Sequence, residues 1–191
     1  MIPAAGRSVR MGTHKLLMPW NGMTVIDTVL TAWQESLVGQ IVIVARRDDA
    51  QLLEALANRP LEILKLDSDS LDMKQSIQLG LQHIQKIWKP SPDDACLIAP
   101  ADIPKLTAKL IDAVIDEYDG DQIVTAVYGP KNGHPTCFPW HTTSKIFELA
   151  ANEGMDSLIK RSQTKRICFD LSSRPRDIDT PEDYQRELDC S

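Results

Sequence analysis

Short runs of β-branched and apolar residues alternate along the chain with longer stretches whose apolar residues recur at helical spacing. Such alternation is typical of βα units that build a largely parallel sheet with helices on its faces. It predicts an α/β fold of three layers, with a mainly parallel sheet between two layers of helices. Because the 191 residues contain no visible linker or repeat, we expect a single domain over residues 1–191. The predicted strands are 41–44, 63–66, 96–99, 123–128 and 166–169, and further helices are predicted around 52–57 and 76–87.

Helix starts are marked by three threonines, since a threonine hydroxyl accepts a hydrogen bond from a free backbone N–H of the first helical turn. Thr24 and Thr107 each precede an apolar stripe, and Thr180 is followed by Pro181 at the first helical position. Only Met1 to Ala4 precede the first loop. The first strand is therefore expected to be very short or to begin upstream of Met1.

The charge balance limits the partners that this chain can have. Lys and Arg total 21 against 27 Asp and Glu, a formal charge of −6. That balance argues against binding to nucleic acid, although a local cluster of cations can hold a small phosphorylated ligand. The longest apolar stretches fall far short of the about 20 residues of a membrane span, and no secretory signal is evident. We expect a cytoplasmic protein without a membrane segment, whose four cysteines are reduced thiols.

The segment from Ala4 to Lys15 combines two glycines with three cations in the expected connection after the first strand. It reads Ala4-Ala5-Gly6-Arg7-Ser8-Val9-Arg10-Met11-Gly12-Thr13-His14-Lys15. Glycine allows a backbone to approach an anion closely, while Arg and Lys neutralise phosphate charge. Neither the Walker A nor the dinucleotide-binding glycine pattern is met. On residue chemistry alone, a phosphate-binding loop and an ordinary surface loop are both open.

The run from Ala4 to Leu17 resembles the signature loop of the nucleotidyltransferases related to molybdenum cofactor biosynthesis, and it is most similar to the cytidylyltransferases among them. The resemblance implies a Rossmann-like fold of the nucleotide-diphospho-sugar transferase type and a Mg²⁺-dependent reaction. The guanylyltransferase branch usually has Ala-Gly-Gly where this chain has Ala4-Ala5-Gly6, so the resemblance favours CTP over GTP. It implies catalytic roles for Arg10 and Lys15, and nucleotide binding by Ala4, Ala5, Gly6, Arg7 and Gly12.

The same resemblance implies two small-molecule partners, CTP or another NTP and a small phosphorylated acceptor of the pterin cofactor type. It also allows a molybdoenzyme or a maturation factor as a protein partner. Nucleic acid and membranes are not expected partners.

Asp102 lies in Pro100-Ala101-Asp102-Ile103-Pro104, directly after a predicted strand, and this segment resembles the family's metal-binding Asp motif. A carboxylate at the C-terminal end of a strand faces the crevice where α/β sheets bind ligands, and Mg²⁺ prefers oxygen ligands. The resemblance therefore implies that Asp102 is catalytic and binds Mg²⁺. The alternative is an Asp that only caps a turn or helix before Pro104.

Two later segments extend the resemblance. Gly133-His134-Pro135 is similar to the family's Gly-His-Pro or Gly-Asn-Pro segment, which lines the acceptor site; a histidine with only a structural role in a Gly/Pro turn is the alternative. Residues 177–183 resemble the closing motif, in which the residue before Thr-Pro lies near the metal. This implies Asp179 as a second metal ligand, whereas acids before a helix are also common for capping alone.

Residues 71–81 depart from the family pattern in the loop that helps to recognise the nucleotide base. Family members usually have glycine and small residues where this chain has Asp72, Lys74 and Gln75, while Ser76 matches and is carried over as a nucleotide-binding residue. Lys74 and Gln75 either donate to the base or point into solvent, and we expect solvent. This departure weakens the inference that the nucleotide is CTP, and it leaves the predicted fold unaffected.

The leading hypothesis is a nucleotidyltransferase in which an acceptor phosphate attacks the α-phosphorus of CTP and pyrophosphate leaves. This chemistry is mostly positioning and charge stabilisation, so it needs a cation-rich loop and a metal-binding carboxylate. A second hypothesis keeps the chemistry but uses a sugar phosphate, an alcohol phosphate or GTP. A third is a nucleotide- or partner-binding module without turnover. Lys15 is expected in a polar loop, where its loss would weaken CTP binding with little effect on stability.

Overall fold

The computed structural model describes residues 1–67 and 72–189. Its strands are β1 (Ile2–Pro3), β2 (Pro19–Trp20), β3 (Met23–Thr24), β4 (Val42–Arg46), β5 (Glu62–Leu66), β6 (Ala95–Ile98), β7 (Ile123–Tyr128), β8 (Lys131–Pro139) and β9 (Thr164–Phe169). Its α-helices are α1 (Val25–Gln34), α2 (Ala50–Leu56), α3 (Met73–Ile87), α4 (Ala108–Asp116), α5 (Met155–Arg161) and α6 (Pro181–Asp189). Every predicted strand is present within two residues of its expected limits, and β1 has two residues, which both alternatives for the first strand allow.

Seven of these strands form one continuous sheet, in the order β5, β4, β1, β6, β8, β7, β9. Parallel ladders join β1 to β4, β4 to β5, and β7 to β9. β1 and the residue before it join the segment that continues β6, because the backbone N–H of Ala99 donates to the Met1 carbonyl (3.3 Å) and that of Ala101 donates to the Pro3 carbonyl (3.1 Å). Within the described part of the chain, β8 is the one strand of this sheet that runs antiparallel to its neighbours.

β8 is not among the predicted strands, although Gly133 and His134 within it are predicted site residues. Gly133, Pro135 and Pro139 all disfavour a strand, so the local sequence does not indicate one. Tyr128 pairs with Lys131 across a two-residue connection, so the chain reverses and β8 must run antiparallel to β7. His134 consequently lies in a strand next to β6, and not in a turn.

Two hydrophobic clusters cover the two faces of the sheet, as the three-layer prediction requires. Alternate residues of β4 enter different clusters: Ile43 packs with α1, α2 and α4, whereas Val44 packs with α3 and α5. Trp33 of α1 is completely buried in the first cluster. Because successive side chains of a strand point to opposite faces, this division places helices on both sides of the sheet. The predicted α/β/α fold is confirmed.

The three predicted helix caps are also present. The side-chain hydroxyls of Thr24, Thr107 and Thr180 accept hydrogen bonds from backbone N–H groups in the first turns of α1, α4 and α6. Among the described residues, no helix combines the length and the apolar character needed to cross a lipid bilayer.

Gly133 is required by packing between β8 and β7. A Cβ at this position would lie 2.4 and 2.7 Å from two ring carbons of Tyr128. That ring is buried and stacks on Phe169 at a centroid distance of 5.6 Å, so it has little room to move. We expect Gly133→Ala to lower the free energy of unfolding by about 1–3 kcal/mol, measured by urea denaturation. Gly39→Ala is the control, since its new methyl meets open space; equal effects of the two substitutions would contradict this assignment.

Candidate active site

A cavity of about 740 Å³ opens beside the C-terminal ends of β1 and β6. Its walls come from the segment 6–10, the start of α3, the segment 100–103, β8 and the segment 174–179. Nine of the predicted site residues line it: Ala4, Gly6, Arg7, Arg10, Lys15, Asp102, Gly133, His134 and Asp179. Ala5, Gly12 and Ser76, which were also predicted, do not line it.

The centre of the cavity is an ion cluster of Lys15, Asp102 and Asp179, which we call the lysine–carboxylate cluster. The Lys15 ammonium donates to Asp102 Oδ2 in a short contact and to Asp179 Oδ1 at 3.1 Å. Lys15 and Asp102 side chains are each only 13% exposed. Arg10 extends the cluster outward, since its guanidinium donates to Asp179 Oδ2 at 2.8 Å.

Burial and charge oppose each other in this cluster. Desolvation lowers the pKa of Lys15, but the carboxylates of Asp102 and Asp179 outweigh it, so that the net pKa is raised and the amine stays charged. Burial raises the pKa of Asp102, and the nearby carboxylates of Asp177 and Asp179 raise it further against the effect of Lys15. The expectation that Lys15 lies in a polar loop was wrong: its loss would leave buried carboxylates without their cation, which destabilises a fold.

Asp102 is oriented by its backbone as well as by Lys15. The backbone N–H of Ile178, a fully buried residue, donates to the Asp102 carbonyl at 3.0 Å and brings the 177–179 segment alongside. Asp102 Oδ1 is buried and has no hydrogen-bond partner among the described residues. Buried carboxylate oxygens are normally paired, so this atom is available to a ligand or a cation.

Arg46, at the end of β4, forms hydrogen bonds with the start of the signature loop (residues 4–15). Its guanidinium donates to the carbonyls of Ala5 (3.2 Å) and Gly6 (3.0 Å) and to Asp49 Oδ2 (3.3 Å). Asp49 is buried, and its carboxylate also contacts His14 Nε2 at 2.8 Å. Asp49 therefore links His14, near the end of the loop, with Arg46, which holds the start of the loop.

Arg46 and Asp49 are not among the predicted site residues. The available signal was a cation shortly after a predicted strand, comparable with the position of Asp102 after β6. Gly12 was expected to bind the nucleotide, but its place in the structure explains it as a turn residue. Its φ of +70° is the left-handed conformation that glycine adopts without strain, and its N–H closes a turn on the Ser8 carbonyl at 3.2 Å. Gly12 therefore shapes the loop without facing the cavity.

The sequence is similar to known proteins along most of its length. The family model described as "MobA-like NTP transferase domain" matches residues 1–167. The chain belongs to the MobA-like NTP transferase family. It is 23% identical to a Bacillus cytotoxicus protein named probable molybdenum cofactor guanylyltransferase, over 100% of this chain and 96% of that one. It is also 23% identical to the molybdenum cofactor cytidylyltransferase of Escherichia coli, over 96% and 92% of the two chains.

The fold agrees with a solved structure of similar length. Rv0371c from Mycobacterium tuberculosis superimposes with a TM-score of 0.85 at 22% identity, covering 98% of this chain and 96% of that one. Membership of the MobA-like family makes this chain a nucleotidyltransferase, which was the leading hypothesis from the sequence. The binding module without turnover is thereby set aside.

In this MobA-like chain, the unusual residues after position 71 have a structural explanation, while residue 71 itself lies outside the described residues. The Lys74 ammonium donates to the carbonyls of Ala150 (2.7 Å) and Glu153 (3.1 Å), among others. The expectation that Lys74 points into solvent was therefore wrong, whereas Gln75 is exposed as expected. Ser76 is buried, and its hydroxyl donates to the Asp72 carbonyl at 3.2 Å within α3.

His134 is a buried neutral imidazole on the β8 wall. Desolvation lowers its pKa below the ordinary value, although the negative charges of Asp102 and Asp177 oppose this effect. Its Nδ1 atom is buried without a partner among the described residues. A neutral imidazole offers one donor and one acceptor, so His134 can hydrogen-bond a ligand without adding charge.

The support that Arg46 gives to the loop can be tested directly. We expect Arg46→Gln to speed amide hydrogen exchange in residues 4–12 by about 10- to 100-fold, because hydrogen bonds from a charged donor are lost. Hydrogen–deuterium exchange with mass spectrometry measures this. Arg47→Gln is the matched control, since Arg47 is exposed and pairs with Asp67 outside the cavity. Unchanged loop exchange in Arg46→Gln would show that the loop is ordered by other contacts.

Proposed function

We propose that this chain transfers CMP from CTP to the phosphate of a molybdopterin-type acceptor and releases pyrophosphate. The lysine–carboxylate cluster beside a glycine- and arginine-containing loop is the observation that carries the proposal. Nucleotidyl transfer needs cations around the phosphates and oxygen ligands for a divalent metal, and it needs no covalent intermediate on the protein. The rest of the cavity is available for the nucleotide base and the acceptor.

The proposed reaction is an in-line substitution at the α-phosphorus. An oxygen of the acceptor phosphate forms a bond to that phosphorus, the bond to the β-phosphate bridging oxygen breaks, and pyrophosphate leaves with the electron pair. Lys15 stays charged at neutral pH because of its carboxylate neighbours, so it can balance the charge that develops on the phosphates. Arg10 is 71% exposed and supplies a second cation at the mouth of the cavity.

Asp102 and Asp179 fit the role of Mg²⁺ ligands. Asp102 Oδ1 is buried without a partner among the described residues, and Asp179 faces the same ammonium. In the described part of the chain, no three acidic, His or Cys side chains are grouped to enclose a metal. That agrees with Mg²⁺, which is usually held by one or two carboxylates together with substrate phosphates and water. A bound Mg²⁺ would supply charge neutralisation across phosphate oxygens.

Both of the relatives above act, by name, on molybdenum cofactor, one as a guanylyl- and the other as a cytidylyltransferase. Their names support a pterin acceptor for this chain. The neutral His134 and the neighbouring Gly133 lie on the wall that the family resemblance assigns to the acceptor. A cavity of about 740 Å³ is within the range of small-molecule sites.

CTP is the proposed nucleotide because of the turn at Ala4-Ala5-Gly6. Ala5 does not line the cavity, and its methyl packs against the second hydrophobic cluster. The Ala5 and Gly6 carbonyls both accept hydrogen bonds from Arg46. A turn fixed in this way cannot withdraw to admit a larger base, which favours a pyrimidine.

The metal role of Asp102 gives the first kinetic test. We expect Asp102→Asn to slow pyrophosphate release in the presence of Mg²⁺ by about 100- to 1000-fold, since one charged ligand is lost at nearly constant shape. Its melting temperature should change little, because Lys15 keeps Asp179 as a partner. Asp121→Asn, at an exposed position outside the cavity, is the control. Near-normal Mg²⁺-dependent turnover of Asp102→Asn would remove Asp102 from the site.

The nucleotide choice is tested with a matrix of NTPs and phosphorylated acceptors, using pyrophosphate release as the signal. We expect kcat/KM for CTP to exceed that for GTP by about 5- to 100-fold, the size of a modest overpacking penalty. Ala5→Gly should reduce this preference, because it removes the methyl that packs the turn against the second hydrophobic cluster and so loosens the turn. Ala57→Gly at the exposed end of α2 should leave the preference unchanged. Equal use of GTP by the wild type would place the chain with the guanylyltransferases. Activity only with a sugar or alcohol phosphate would replace the pterin acceptor.

A further inference from the structure

Arg174 differs from the other cations that line the cavity, because it has no partner among the described residues. Arg7 pairs with Asp48, Arg10 with Asp179, Lys15 with the two cluster carboxylates, and Lys74 with backbone carbonyls. The guanidinium of Arg174 makes no ion pair or hydrogen bond within the described chain, and its Nε atom is buried. A buried guanidinium nitrogen normally donates to an acceptor, so this half-buried side chain is suited to a ligand that supplies one.

The position of Arg174 separates it from the signature loop. It directly follows a short 3₁₀ helix (Leu171–Ser173) that comes after β9, and its charge opposes the burial that raises the pKa of Tyr128 to about 12. Arg174 therefore lies near Tyr128, at the end of β7. The signature loop begins after β1, which lies three positions from β7 in the sheet, or about 14 Å at the usual spacing.

The cavity wall near Arg174 also carries buried polar atoms that have no hydrogen-bond partner among the described residues. Gly133 contacts the Tyr128 ring, and His134 follows it in β8 with a buried, unpaired Nδ1. The cavity wall on this side is thus built from groups that can hydrogen-bond an incoming molecule. Asp156 and Asp177 also line the cavity, and they would repel an anion that is not matched by a cation. Arg174 supplies that cation.

We propose that Arg174 binds the phosphate monoester of the acceptor on the β7–β8 side of the cavity. The inference rests on the proposed function and adds the residue that selects a phosphorylated acceptor. The planar guanidinium can donate to two oxygens of one phosphate, which leaves the third free to attack the α-phosphorus. Arg174 in this role orients the attacking group, while Lys15 and Arg10 serve the nucleotide.

Acceptor binding is measured without turnover by titrating phenyl phosphate into the full chain. The nucleotide site is first filled with Mg²⁺ and a CTP analogue whose α–β bridge cannot be cleaved, so that the probe cannot occupy the triphosphate positions. Calorimetry then compares the wild type with Arg174→Ala, Arg174→Lys and Arg176→Ala. Arg176 is the matched control, because it is exposed and points toward Glu187 at 3.9 Å.

We expect Arg174→Ala to weaken phenyl phosphate binding by about 10- to 100-fold, with a smaller loss for Arg174→Lys and less than about twofold for Arg176→Ala. Affinity for the CTP analogue and the melting temperature should stay unchanged in all three. Equal probe affinity in Arg174→Ala and the wild type, or no binding by the wild type, overturns the proposal. A loss confined to the CTP analogue also overturns it. If the probe depends on Arg174 but no acceptor releases pyrophosphate, the proposed function fails and the phosphate subsite stands.

Discussion

The ion cluster of Lys15, Asp102 and Asp179 is the contact on which the site depends. Its members come from the N-terminal loop, the end of β6 and the segment before α6, separated by 87 and 164 residues along the chain. Because Lys15 and Asp102 are mostly buried, loss of the lysine would leave two carboxylates without their shared cation, whereas loss of one carboxylate leaves Lys15 paired with the other. The cluster therefore joins three distant segments. At the same place it presents an ammonium suited to a nucleoside triphosphate and carboxylates suited to a divalent metal.

A second set of contacts keeps the signature loop in position before any ligand arrives. Arg46 and Asp49 connect the loop to β4 and to the start of α2, since Asp49 also accepts the backbone N–H of Leu52 at 3.2 Å. A loop that is already ordered costs less to organise around a nucleotide, so binding free energy is available for positioning. Most cations of the cavity are used in such internal contacts. Arg174 is different, and this difference is the reason for assigning it to the second substrate.

The start of α3 shows how a local departure from a family pattern can leave the fold intact. Lys74 does not extend into the cavity as a free donor; it joins the start of α3 to the segment 150–153 just before α5. Asp72 caps α3 through the backbone N–H of Gln75 at 2.8 Å. These substitutions are thus accommodated as helix-capping and packing contacts. The proposed preference for CTP then depends on the turn at Ala4-Ala5-Gly6, which Arg46 holds in place.

The sequence by itself determined the features that depend on local pattern. Alternating strands and helices, the caps at Thr24 and Thr107, the cation-rich loop and the position of Asp102 all follow from periodicity, side-chain chemistry or motif spacing within a few residues. Only the tertiary structure decided that residues 131–139 form an antiparallel strand, because pairing with β6 and β7 overrides the low strand preference of Gly133 and Pro135. It also decided that Lys15 is buried between carboxylates and that Arg46 supports the loop from 41 residues away. Such pairings are set by the packing of the whole sheet, which no local stretch of sequence encodes.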